Sequence, residues 1–177
     1  SGTVVLEDLD YNVFIAPGYP IEVTTFEDEL NSDGDCSLSE ALVAAAGTEA
    51  DACVFPGGKA NIVLPTGTYI LSNTPDISGA HISINGQGST INSGGWGVDT
   101  ETSLELHDLK ITVAGTGLTG LKDVRLHNVA FTRSGLSNES GLGAQKIHLQ
   151  SSTVECLGAP STCLDCLEGA TINNSTV

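Results

Sequence analysis

The chain has 177 residues, 40% of them hydrophobic, and its 6 Lys+Arg against 22 Asp+Glu give a formal net charge of −16. This length and apolar content fit one compact domain and argue against a disordered acidic tail. So negative a surface repels phosphate backbones and anionic lipid, which argues against nucleic acid and membrane-surface partners. No apolar run approaches the roughly 18 residues that a membrane span needs.

Many of the 21 glycines fall between short apolar stretches, as in all-β chains rich in turns. The chain begins at Ser1 without an initiator methionine or a signal segment, which carries no weight because a trimmed chain would look the same.

Residues 1–60 read as an N-terminal cap region. The turn Asn31-Ser32-Asp33-Gly34-Asp35 offers oxygen ligands at alternate positions, which suits calcium and makes Asp33 and Asp35 metal candidates. It lacks the glutamate twelve positions on that an EF-hand requires. The alternative is a solvated turn whose carboxylates lie near a helix N-terminus, where the macrodipole favours them. That alternative accounts for every residue, and calcium is the one cofactor the sequence suggests.

In Ser37-Leu38-Ser39-Glu40, Ser37 can accept from the Glu40 amide while Glu40 reaches back, a capping box. A short apolar helix over about 37–46 should follow and stop at Gly47. It is well placed to plug the first end of whatever lies beyond.

From residue 61 a repeat appears. ANIVLPTG, HISINGQG, TSLELHDLKI, DVRLHNVAF, QKIHLQSSTV and GATINNSTV each carry an apolar–x–apolar pair followed by a polar two-residue step. With Leu64, Ile84, Leu106, Leu126, Leu149 and Ile172 as anchors, the intervals are 20, 22, 20, 23 and 23. Such periods with internal period-2 alternation signal a solenoid of strands. From the second coil on, the second residue of each polar step is Gly86, Asp108, Asn128, Ser151 or Asn174. All but Ser151 tolerate the left-handed backbone of a sharp bend well.

A third apolar position falls at Val98, Leu118, Leu142 and Leu167. Three short strands per coil make an all-β, three-sided parallel β-helix. Leucine-rich repeats fit less well, because no helical segment separates the anchors. Five steps of about 4.8 Å give a column of roughly 24 Å. The sequence reaches Val177 in mid-coil with no polar or helical cap in view. The coils are therefore expected to continue beyond it, or the open end to dock on a partner.

VTTFEDELNSDGDCSLSEALVAA, DAC, IVLPTGTYILS and ISINGQGSTI resemble one family across about residues 21–91. Its members are secreted and cell-surface bacterial proteins with the N-terminal signature C-S-L-R-E-A, followed by a right-handed parallel β-helix of the pectate-lyase-like kind. Ser39 stands where the family usually has arginine, so any contact made by that arginine is absent here. The resemblance implies export and fold, and it brings no shared catalytic residues.

In such exported proteins a Cys36–Cys53 disulfide would staple the cap to the first coil, against the alternative of two buried thiols. Two of Cys156, Cys163 and Cys166 should pair and leave the third as a thiol. Zinc held by these three with His148 matches no module spacing.

His107 and His127 occupy the same step of adjacent coils and should lie about 5 Å apart, with Asn85, Gln150 and Asn173 continuing the row. Ser83, Glu105, Arg125, His148 and Thr171 should form a second outward row. Glu105, His107, Arg125, His127 and His148 are thus the candidates for holding a polysaccharide or a host or cell-surface glycan along the column. The competing view is an ordinary solvated face, with Glu105 beside Arg125 as a weak surface pair.

Catalysis has less support. Asp108 and Asp123 fall on different steps, and neither G-x-S-x-G nor a phosphate loop occurs. An ice-binding array is disfavoured by unequal coils and unaligned threonines. The reading is a non-enzymatic secreted or cell-surface scaffold or adhesin with glycan recognition. The alternative is a polysaccharide lyase or glycoside hydrolase of the same fold.

Overall fold

The computed structural model describes residues 20–177 apart from 49, 51, 56, 73, 95, 97, 100, 115–117, 135–140 and 158–162. The described chain is a parallel β-solenoid. Its elements are β1 (Pro20–Glu22), α1 (Leu38–Ala45), β2 (Ala60–Val63), β3 (Thr68–Leu71), β4 (His81–Ser93), β5 (Ser103–Ala114), β6 (Leu118–Ser134), β7 (Leu142–Gln150), β8 (Thr153–Leu157) and β9 (Leu164–Asn173). One side of the column is the parallel ladder β1-β2-β4-β5-β6-β7-β9. A second side stacks β3, the later halves of β4, β5 and β6, and then β8.

Alternation explains the strands. Inward residues of successive coils stack on like residues, so Ile62, Ile84, Leu106, Leu126 and Leu149 form one interior row, each at most 1% exposed. Tyr69, Ile91, Ile111, Phe131 and Val154 form the row beneath the second side. Each large side chain buried in this way contributes about 1.5–3 kcal/mol.

The bends between the two sides follow the expected chemistry, with Asp108, Asn128, Ser151 and Asn174 all at φ between 50° and 55°. The register departs from the repeat reading at three places. In the first coil the residue paired with Ile84 is Ile62 and not Leu64. ANIVLPTG holds apolar residues at both positions, both are buried, and alternation alone cannot choose between them.

In the second coil Gly86 is not the left-handed residue; Gln87 (φ 48°) and Gly88 (φ 83°) are, because extra residues between Asn85 and Ser89 lengthen that bend. Gly86 is there for space, since a Cβ would stand 2.3 Å from the Leu109 Cβ.

On the third side, Leu118 pairs with Leu142 and Leu142 with Leu164. Leu167 is 80% exposed and is not the inward residue of that row. In earlier coils the third side is carried by Ile77, Trp96 and Val98, which pack on the core outside any named strand.

The first end of the column is closed by α1. The helix lies in the sequence between β1 and β2, which pair with each other, so cap and coils share one sheet and one core. Leu38, Ala41, Leu42, Ala44 and Ala45 are buried. Ser37 Oγ accepts from the Glu40 amide (3.1 Å) and Glu40 Oε2 from the Ser37 amide (2.9 Å), completing the capping box. At the other end the Gly47 amide donates to Ala44 O (2.9 Å) and that of Thr48 to Val43 O (3.1 Å), with Gly47 at φ 86°. This is a Schellman motif.

Ser39 is wholly buried and donates to Asp28 Oδ1, while Asp28 Oδ2 accepts from the Ser72 amide just beyond β3. That bridge ties the helix to the coil beneath it. Cys36 and Cys53 stand at disulfide distance, with Cα atoms 5.1 Å apart.

Candidate functional site on the outward face of β5 and β6

Outward positions of the first ladder form continuous rows, as the repeat implied. Ser83, Glu105, Arg125, His148 and Thr171 are in register, as are Asn85, His107, His127, Gln150 and Asn173. Glu105 and His107 share a strand two residues apart, so both project from the same face of β5. His107 and His127 precede the left-handed bends at Asp108 and Asn128, and their rings stack with centroids 4.8 Å apart and planes 8° apart.

Glu105 is the hub. Its Oε1 lies 3.0 Å from His107 Nε2 and 3.9 Å from His127 Nε2, and its Oε2 pairs with Lys59 Nζ at 2.6 Å. The expected Glu105–Arg125 pair does not form among the described residues. Arg125 reaches along its own strand to Asp123 at 3.2 Å, and Lys59 spans the β4 rung to take Glu105.

The His107 hydrogen bond, helped by the hydrogen bond and charge of Lys59, lowers the Glu105 pKa to about 2 against burial, which raises it. Burial lowers the pKa of His127, and the neighbouring His107 acts in the same direction. Opposing this are Glu105 and Gln150, whose Oε1 lies 3.1 Å from His127 Nδ1. His127 is thereby held in its neutral form at neutral pH, with Gln150 accepting its Nδ1 proton.

Beside this cluster a cleft of about 300 Å³ is lined in part by Lys59, His81, Ser103, Glu105, Asp123 and Arg125. Asp123 Oδ1 is buried there with no hydrogen-bond partner among the described residues. An unsatisfied buried acceptor costs about 1–3 kcal/mol.

Sequence reasoning placed Glu105, His107, Arg125, His127 and His148 on one face correctly. It missed Lys59 and Asp123, which lie outside the two rows it followed; the row His81, Ser103, Asp123 was the signal available for the second.

The other candidates lie elsewhere. Asp33 Oδ1 accepts from the Asp35 amide at 3.0 Å, closing the turn that precedes α1. Glu40, the capping glutamate, takes the Asn31 amide at 3.1 Å. The geometry there is that of a turn leading into a helix cap. Cys156 and Cys163 stand at disulfide distance and Cys166 is the free thiol, 2.7 Å from Gly169 O. With two of the three sulfurs paired, the zinc arrangement with His148 loses its thiolates.

Two cysteine pairs at disulfide distance fit an oxidising, extracytoplasmic setting. No described helix is long and apolar enough to cross a membrane. Comparison with known protein families, curated proteins and solved structures finds no match to this chain.

Proposed function

We propose that this chain is a non-enzymatic segment of a secreted or cell-surface protein, a scaffold or adhesin that recognises glycans along the outward face of β5 and β6. One observation carries the reading: a cleft of about 300 Å³ lies against in-register polar rows. Within it, Lys59, Arg125, Glu105 and Asp123 offer donors and acceptors of both signs at fixed spacing. A saccharide chain presents hydroxyls at regular intervals, and a solenoid presents side chains at regular steps of about 4.8 Å. The Asp123 carboxylate, a quarter exposed beside Arg125, offers an acceptor for one such hydroxyl.

Export is supported by the paired cysteines and by Cys36-Ser37-Leu38-Ser39-Glu40-Ala41, which resembles the signature of exported β-helix proteins. The test is a broad glycan array probed with the labelled chain, with and without calcium. Binding to a defined glycan class with no product release supports recognition. Release of shortened saccharides would move the protein to the lyase or hydrolase alternative, and loss of binding on chelation would return Asp33 and Asp35 to the site.

A further inference from the structure

We propose that Glu105, His107 and His127 form a binding site for a single divalent transition-metal ion of the zinc type. Glu105 Oε1, His107 Nε2 and His127 Nε2 lie on one outward face, and one ligand atom from each residue falls within 4.8 Å of the others. A tetrahedral ion with bonds of about 2.0–2.1 Å separates its ligand atoms by about 3.3 Å. The separations of Glu105 Oε1 from the two histidine nitrogens, 3.0 and 3.9 Å, bracket that value.

The stacked rings must tilt for their nitrogens to converge. The imidazole χ2 is a broad, soft torsion, so the tilt needs no backbone movement. His107 then presents Nε2 as a lone pair by carrying its proton on Nδ1.

The surroundings match what a metal site uses to aim its ligands. Gln150 Oε1 stands 3.1 Å from His127 Nδ1, which directs the Nε2 lone pair toward Glu105. Lys59 holds Glu105 Oε2 and leaves Oε1 to face the histidines. All three ligand side chains are only 16–20% exposed, which limits competition by water while keeping one side open. Two imidazoles with one carboxylate suit zinc, cobalt, nickel or copper and not calcium or magnesium, which prefer all-oxygen shells. The site shares Glu105 with the cleft, but ion binding there does not rest on the glycan reading.

The experiment is calorimetric titration of the whole chain with Zn2+ and Co2+ near neutral pH, in excess Mg2+ to occupy the acidic surface. Imidazole NMR signals are followed in parallel. A single ion should bind, with His107 and His127 signals shifting while those of His81 and His148 stay. His107→Asn and His127→Asn should each weaken binding at least tenfold, and Gln150→Leu by about tenfold. Circular dichroism establishes that each variant is folded, and the wild-type NMR readout decides the matter should one not be. No saturable binding, or binding unchanged in both folded histidine variants, overturns the proposal.

Discussion

The first and the last described coils hold their apolar rows in different surroundings. At the first end, α1 lays its apolar residues over the coil, and a capping box, a Schellman motif, the Asp28 bridge and the Cys36–Cys53 pair fasten it. In the last described coil Ile172 and Val177 are 47% and 56% exposed. Ile172 occupies the same ladder position as Leu126, which is fully buried. One repeat position thus has opposite environments, and the difference is the coil above it. In a solenoid, burial belongs to neighbouring coils together and not to the coil itself.

The sharpest way to break this comparison is to truncate the same position in both places. Leu126→Ala should cost about 2–5 kcal/mol, as other large-to-small core changes do. Ile172→Ala should cost well under about 1 kcal/mol, because little apolar area leaves a shielded site. Urea unfolding of both variants checks this, and equal losses would break the neighbour-coil account.

Next in size are the cysteine pairs. By loop closure, removing Cys36–Cys53 with a double serine variant should cost about 3 kcal/mol, and removing Cys156–Cys163, across a shorter loop, about 2 kcal/mol. Thermal unfolding under non-reducing conditions reads both.

Ser37→Ala removes the cap acceptor and should cost about 0.5–2 kcal/mol. Hydrogen exchange should show that loss concentrated in the α1 amides, while β5 and β6 keep their protection.

The smallest expected effect is at Asp99. Its side chain accepts from the Thr102 hydroxyl and from the amides of Gly79, Glu101 and Thr102, which lowers its pKa. A depressed carboxyl gives stability that is present above the unfolded value of about 3.9 and is lost as pH falls through the folded value. Asp99→Asn, which keeps an acceptor oxygen without the charge, should flatten the acid limb of the stability curve slightly.

Much of this was legible in the sequence, because the solenoid writes one environment repeatedly. The period locates the coils, and equivalent steps place His107 beside His127 and Glu105 beside Arg125. The capping box was legible for a similar reason: its chemistry is local to Ser37 and Glu40. What failed was information that no single stretch contains. Adjacency did not become pairing for Glu105, because its cation comes from Lys59, more than forty positions away, and side-chain reach set the partner. The slip between Leu64 and Ile62, and that between Leu167 and Leu164, arose where two nearby apolar residues offered themselves for one ladder position.

The measurement that tests the central claim most directly is glycan-array binding of the wild-type chain beside Asp123→Ala and Arg125→Ala. The outward-face account predicts a defined glycan class for the wild type and at least a tenfold loss in both variants, with circular dichroism unchanged. Wild-type binding that survives both substitutions, or no binding to any glycan, would contradict it.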